Sequence, residues 1–508
     1  VLPDSFAGET NGENSACLPP AAFFNDPTLT SLFDQALANN QQLLILAENI
    51  RIANNEVLRR RGAYLPMVSL GTRASLNKYS YNTLEGADNL QNVPANAASF
   101  PTPLPDFMAA ADVSWQIDIW RQLRNSRDAA ALRFLGTRDG WNYVVTRLLA
   151  DVAENYYQLM ALDKQLETLD RTIALQDQSL EIAKARKAAA RDTELAVQRF
   201  QAEVRKNQSQ KLIIAQEIIE AENRINFLCG RYPQPVERNS AGFIDLNLPT
   251  LNLGFPSQLL GNRPDIRQAE RALAAAGLDV RVARANFFPK LIMTADVGWD
   301  AFNPRYLFIT PESLIYGVAG GLVAPVVNRK AIQADYMNAN ATQLQALYDY
   351  QRTVLNAFTE VINRVAKVRN YSISIELKKQ QLESLETAVS VASNLFQNAR
   401  VEYLDVLISQ RDRNEARMVL LDTKREQLSA VVNTYQALGG GQVGFPNTPL
   451  SEVGRKPPTR MFPILHRPPV EPLPIVGYPR YVPEIQPLPP VEGPPSSPEE
   501  LEFLPPPK

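Results

Sequence analysis

Histidine and cysteine are nearly absent from this chain. His466 is its single histidine, and Cys17 and Cys229 are its only cysteines among 508 residues. A metal site built from His and Cys ligands has no material here. A Ser-His-Asp or Cys-His centre would have to use His466, which stands in a proline-rich stretch. No catalytic residue, metal or cofactor is therefore expected, and the chain does not read as an enzyme. An excess of charge of one sign is also missing. Lys and Arg number 52 against 54 Asp and Glu, a formal net charge of −2, so nothing in bulk charge points to nucleic acid or an anionic surface. Long apolar runs are missing too: no stretch approaches the roughly 18–20 residues of a membrane helix. A mean hydropathy of −0.22 does not exclude a β-barrel, whose short alternating strands escape such averages. The chain opens at Val1 with no basic, apolar leader pattern, and reads as starting at a processed or trimmed end.

Proline is distributed very unevenly. Of 38 prolines, 20 fall between Pro446 and Pro507. Residues 442–508 therefore read as a Pro-rich disordered tail, with tethering to the cell wall or a partner as the functional alternative. From Arg121 to Cys229 there is no proline, and Gly136 and Gly140 are the only glycines. A segment of that length without breakers reads as helix.

One plan is used twice. Arg61-Gly62-Ala63-Tyr64-Leu65-Pro66 parallels Arg284-Ala285-Asn286-Phe287-Phe288-Pro289. With the prolines aligned, Ile50, Ala53 and Val57 fall on Leu273, Ala276 and Val280, a helical spacing. Each helix stops at its proline, which cannot continue the hydrogen-bond ladder. Period-2 segments follow, predicting strands at about 64–77 and 107–120 in the first half and about 290–300 and 314–326 in the second. Each pair leads into a long breaker-free helix (about Arg121–Arg191 and Asn328–Arg400) and a return helix (about Thr193–Cys229 and Glu402–Leu438). The pre-strand helices are placed at about Thr28–Ala63 and Pro256–Asn286. The predicted division is an N-terminal extended segment 1–27, a first repeat 28–230 with its hairpin tip near 191, a linker 231–255, a second repeat 256–441 with its tip near 401, and the tail. At about 1.5 Å per residue the long helices reach roughly 105 Å. A lone chain of that shape buries its helices poorly, and four strands close no barrel. Several chains around an axis would solve both problems.

Four stretches carry a resemblance: Phe24-Asn25-Asp26-Pro27 with Ala36-Leu37-Ala38-Asn39-Asn40; Trp115-Gln116-Ile117-Asp118-Ile119; Asn262-Arg263-Pro264-Asp265-Ile266-Arg267-Gln268-Ala269-Glu270; and Tyr403-Leu404-Asp405-Val406-Leu407 with Tyr435-Gln436-Ala437-Leu438-Gly439-Gly440-Gly441. Over about residues 20–443 the chain resembles the TolC-like outer-membrane factors, in the branch serving resistance-nodulation-division efflux pumps. That resemblance implies a mainly α fold with a β-barrel: a homotrimer with a 12-stranded outer-membrane barrel continued by a periplasmic α-helical barrel. It implies a passive exit duct in outer-membrane lipid, coupled to a periplasmic adaptor (membrane fusion protein) and an inner-membrane pump. A type-one secretion duct and a soluble coiled-coil scaffold are the alternatives. The branch is often anchored by an N-terminal lipid-modified cysteine. Cys17, with no apolar run before it, is not assigned that role, and such a residue would have preceded Val1. Two departures stand out. Arg121 occupies a position where the family usually has Gly, so the bend from barrel to helix is expected to differ. Ile408 replaces the second aspartate of the family's Leu-Asp-Val-Leu-Asp-Ala motif.

A duct of this kind needs a lipid-facing band and a closable end. The lipid-facing set is predicted as Val68, Leu70, Val113, Trp115, Ile117, Val297, Trp299, Val318 and Leu322. Arg73, Asp112, Asp118, Asp296 and Asp300 are placed toward water or the bilayer edge. The gate is expected at the helical turns farthest from the strands, with Arg191, Asp192 and Glu194 at one turn and Arg400, Glu402 and Asp405 at the other. Asp405 matches the aspartate that the resemblance implies constricts the aperture. The plainer reading of each acid is a helix N-terminal charge. Arg263-Pro264-Asp265 reads as a helix start, and Leu148, Ala150, Ala153, Tyr156 and Leu159 as a packing seam.

Overall fold

The computed structural model describes residues 3, 5–6, 13–80, 82–91, 101–189, 193–249, 251–327, 329–398 and 400–442. These all belong to one compact unit, Val1–Leu465, and the second unit, His466–Lys508, lies outside them together with the tail assignment. In chain order the elements are α1 (Pro20–Phe24), α2 (Pro27–Asn39), α3 (Gln41–Gly62), β1 (Met67–Asn77), α4 (Leu84–Gln91), β2 (Leu104–Ile117), α5 (Gln122–Ala188), α6 (Glu194–Leu228), α7 (Gln258–Asn262), α8 (Pro264–Ala285), β3 (Lys290–Ala301), β4 (Leu314–Val323), α9 (Lys330–Gln397) and α10 (Tyr403–Ala437). No described helix is long and apolar enough to cross a membrane.

Three expectations about the helices are corrected. The segment 1–27, read as extended, contains the short helix α1. The helix placed at 28–63 is two helices broken at Asn40, whose ψ of 120° is extended. The Asn40 side chain accepts from Leu43 N (3.1 Å), capping α3, and donates to Leu228 O (2.9 Å) at the end of α6. A buried asparagine that satisfies two helix ends outweighs one continuous ladder. The helix placed at 256–286 likewise breaks at Arg263, because Pro264 disfavours the helical conformation of its predecessor.

Arg263 does more than begin a helix. Its side chain is buried, and it donates to Asp265 (2.7 Å), to Glu360 on α9 (2.9 Å) and to Ala437 O at the end of α10 (2.9 Å). It thus fastens three helices at one point.

The four strands form one antiparallel sheet in the order β1-β2-β3-β4. A 22-residue helix precedes each strand pair. A helix of 67 or 68 residues and a return helix of 35 follow each. The second strand was expected to run to residue 120 but ends at Ile117. Asp118 leaves the sheet and accepts from Leu123 N (3.0 Å) and Arg124 N (2.9 Å) at the start of α5. Its side chain is only 6% exposed, so it is a helix cap rather than a residue facing water or the bilayer edge. Arg121 then turns the chain in the left-handed region (φ 57°, ψ 24°). The bend is the one that glycine makes without strain, performed here by an arginine.

The core runs alongside α5, between α2, α3, α6 and α10. Leu148, Ala150, Ala153, Tyr156 and Leu159 are all buried there, at the helical spacing of a packing seam. Phe23 stacks on Tyr435 with ring centroids 4.2 Å apart, and Tyr435 Oη donates to Leu18 O (2.6 Å), tying the N-terminal segment to α10.

Candidate functional site

The predicted functional residues lie in two places, the sheet and the far ends of the long helices. In the sheet, register decides which side chains share a face, because successive residues alternate. Val68 pairs with Val113 and Leu70 with Ala111. Val113 pairs with Ala295, Ala111 with Val297, Ala109 with Trp299, Trp115 with Met293 and Ile117 with Leu291. Ala295 pairs with Val318 and Leu291 with Leu322. All nine residues predicted to face lipid therefore stand on one face. On the outer strands Leu70 is 85% and Val318 76% exposed in the single chain, where both faces of β1 are open.

The opposite face is polar in its middle. Ser69, Asp112, Asp296 and Gly317 form one row across the four strands. Arg73 Nη2 donates to Asp106 Oδ2 at 3.2 Å, and Asp300 sits beside Met108 on the same face. Among the described residues, the outer edges of β1 and β4 have no strand partner. Bare backbone edges of this kind are satisfied in a membrane only by closure with further strands.

The junction between sheet and helices is held by tryptophans. Trp115 Nε1 donates to Tyr64 O (3.0 Å), and Trp120 Nε1 donates to Pro289 O (2.8 Å). Trp120 also stacks on Phe288 (4.8 Å). These contacts pin both aromatic-X-Pro stops, at the ends of α3 and α8, to β2 and the turn that leads into α5.

The second site lies roughly 100 Å from the sheet along α5 and α9. Glu194 opens α6. It accepts from Gln198 Nε2 (2.7 Å) and pairs with Lys187 at the end of α5, and these two donors hold its carboxyl below the usual range. Glu402 caps α10 from an extended conformation without a side-chain hydrogen bond. Arg400 N donates to Leu395 O (2.9 Å), closing the end of α9. Asp405 is exposed in the first turn of α10, with its N–H on Glu402 O (3.1 Å). Arg191 and Asp192 lie outside the described residues.

Sequence reading missed what joins the two turns. Leu180 and Ala183 of α5, Val197 and Phe200 of α6, and Leu404 and Leu407 of α10 form one apolar cluster. The Arg186 guanidinium lies over the Phe396 ring, 4.6 Å from its centroid. One hairpin is thus latched to the other within a single chain. The signal was faint: Val197, Phe200 and Val204 keep helical spacing right up to the turn, where a purely solvated tip would be polar.

The family model described as outer membrane efflux protein matches residues 32–231 and 255–440. The pyoverdine export outer membrane protein OpmQ of Pseudomonas putida is 30% identical over 418 residues, spanning 82% of this chain and 87% of its own. The cation efflux system protein CusC of Escherichia coli is 28% identical over 422 residues, spanning 82% and 87%. A crystal structure of CusC superposes with a TM-score of 0.75 at 25% identity, covering 87% of this chain and 97% of that one. The open-state MtrE outer membrane channel of Neisseria gonorrhoeae shares the fold, with a TM-score of 0.76 at 21% identity, covering 87% and 96%.

Proposed function

Because the chain belongs to the outer membrane efflux protein family, and is an efflux channel of the outer membrane with a large periplasmic helical part, we propose that it works as a passive homotrimeric duct closed at the helical tips. The observation that carries this is the open-edged, four-stranded sheet, apolar along one face, at the root of two helices of 67 and 68 residues. Three copies, each giving four strands, would close a twelve-stranded barrel with no free edge. Val68, Leu70, Val113, Trp115, Ile117, Val297, Trp299, Val318 and Leu322 would then meet lipid, and the Asp112–Asp296 row would line water. In the single chain α9 leaves Leu344, Tyr348, Leu355, Ile373 and Leu377 exposed. An apolar surface of that extent suits burial against neighbouring copies.

We read residues 28–230 and 256–441 as two copies of one plan, joined by a linker at 231–255. Asp405, Glu402, Arg400 and Glu194 at the tips, with Arg191 and Asp192 beside them in sequence, would ring the closed end. The same tips would meet a periplasmic adaptor and, through it, an inner-membrane pump of the resistance-nodulation-division class. The family consists of channel and efflux proteins, not enzymes, and membership in it sets aside the soluble scaffold. Relatives are named for pyoverdine export, cation efflux and toluene efflux. Three unlike cargoes on one family's channels support a reading in which the pump, not the duct, chooses the cargo.

The test is single-channel conductance of the detergent-purified protein in a planar bilayer, with its oligomeric mass measured in parallel. A trimer with discrete openings is the expected result. A monomer that stays soluble without detergent would overturn the barrel.

A further inference from the structure

A cavity of about 620 Å³ opens between α9, α10 and residues 246–249, 251 and 253, a size typical of small-molecule sites. Its lining is segregated from one end to the other. On α10, Lys424, Gln427, Leu428 and Val431 share one helical face. On α9, which runs antiparallel to α10 through the Lys367–Glu426 and Glu386–Arg417 pairs, Ile362, Val365, Arg369 and Ser372 line the facing side. Gln427 Nε2 donates to Ser372 Oγ (2.9 Å), so the polar residues of both helices meet at one end. Ile362 and Val431 stand toward the other end. Phe6 lines the cavity there, stacked on Phe358 (5.6 Å), one turn beyond Ile362. From Lys424 to Val431 the groove follows α10 for about 10 Å.

Lys424 fixes the character of the polar end. It is only 3% exposed. Its Nζ donates to the amide oxygens of Gln427 (3.0 Å) and Asn247 (3.4 Å), and both of those residues line the cavity. Among the described residues no carboxylate lies within ion-pairing distance of it. Burial, with Lys379 nearby, pushes the ammonium down to about 8, and Asp245 offsets this in part. Arg369 stands exposed at the same end.

Two amide oxygens offset the cost of burying an ammonium only in part, and a carboxylate offsets it further through a charge-assisted bond. An inorganic anion would meet the charge and leave the apolar end in water. A neutral apolar molecule would do the reverse. The ligand that answers both ends carries one carboxylate on an apolar body about 10 Å long.

We propose that this groove binds a small amphiphilic carboxylate of the fatty-acid class, with its head at Lys424 and Arg369 and its chain along Leu428 and Val431 toward Phe6. The site is built within one chain, so it stands apart from the trimer and from the gate at the helical tips.

Equilibrium dialysis of radiolabelled decanoate against the full chain in detergent tests this. Protein-free detergent is the blank, and 1-decanol is the neutral probe with the same chain. The expected result is saturable decanoate binding, with decanol weaker by roughly tenfold or more for want of the charge-assisted bond. Lys424→Met removes the ammonium and keeps a flexible apolar side chain, an exchange that buried sites tolerate well. It should weaken decanoate by roughly tenfold and leave decanol unchanged. A second readout needs no variant: carbodiimide should join decanoate to Lys424 as an amide, seen by peptide mass spectrometry and saturating over the same concentrations. Absence of saturable decanoate binding would overturn the proposal. So would equal affinity for decanoate and decanol, unchanged decanoate affinity in folded Lys424→Met, or acylation confined to other lysines.

Discussion

Arg186 and Phe396 stand 210 residues apart in sequence, yet the guanidinium of one rests 4.6 Å from the ring centroid of the other. Each belongs to the last turn of a long helix, α5 and α9. The contact therefore ties the two hairpins of one chain together at the end where the duct is proposed to close. A cation over an aromatic face at a partly exposed site contributes about 0.5–1 kcal/mol. Phe396→Ala is expected to raise open probability roughly two- to fivefold in planar bilayers, by that same energy. Unchanged conductance from an intact trimer would remove the latch from the gate.

Among the described residues no hydrogen bond or ion pair joins the Asp405 side chain to the other hairpin, so its effect is expected to be electrostatic. If its copies ring the closed end, they repel one another and attract cations, and both effects weaken with salt. Asp405→Ala should raise conductance and lower cation selectivity, with the change shrinking as ionic strength rises. A salt-independent effect would point to packing instead.

Arg121 holds a left-handed conformation in which glycine is at ease and other L-residues lose about 1–2 kcal/mol. Arg121→Gly should raise the thermal midpoint of the trimer by a few degrees, partly offset by the greater freedom of glycine in the unfolded chain. A lower midpoint would show that the arginine side chain matters more than its backbone.

The Lys367–Glu426 pair links α9 to α10. The lysine is the first cause holding the Glu426 carboxyl below its usual range, and Arg425 adds to it. A carboxyl depressed in the folded state stabilises above its unfolded pKa, and that stability is lost as pH falls through the folded value. Glu426→Gln should therefore lower stability at pH 7 by about 1 kcal/mol or less, since the pair is partly exposed. The two proteins should converge as the pH drops below the carboxylate range. A gap that stays constant with pH in chemical denaturation would assign the loss to packing.

Much of the fold was legible because each element carries its own local signal. Proline after an aromatic residue ended α3 and α8, alternation marked the strands, and the breaker-free runs marked α5 and α9. The breaks at Asn40 and Arg263 were less legible. Asn40 answers to Leu228 O, and Arg263 to Glu360 and Ala437 O, partners far along the chain. Asp118 looked like one more alternating strand position, and only its amide partners in α5 show it to be a cap.

The sequence by itself determined the kinds of elements, their order and the apolar alternation of the strands, since periodicity and breakers act within a few residues. Tertiary structure alone decided the register that gathers nine apolar residues on one face, the latch of Arg186 on Phe396, and the burial of Lys424 against the amides of Gln427 and Asn247. Each depends on two distant segments meeting at a set offset. That offset follows from the packing of whole helices and strands, which no local pattern of residues encodes.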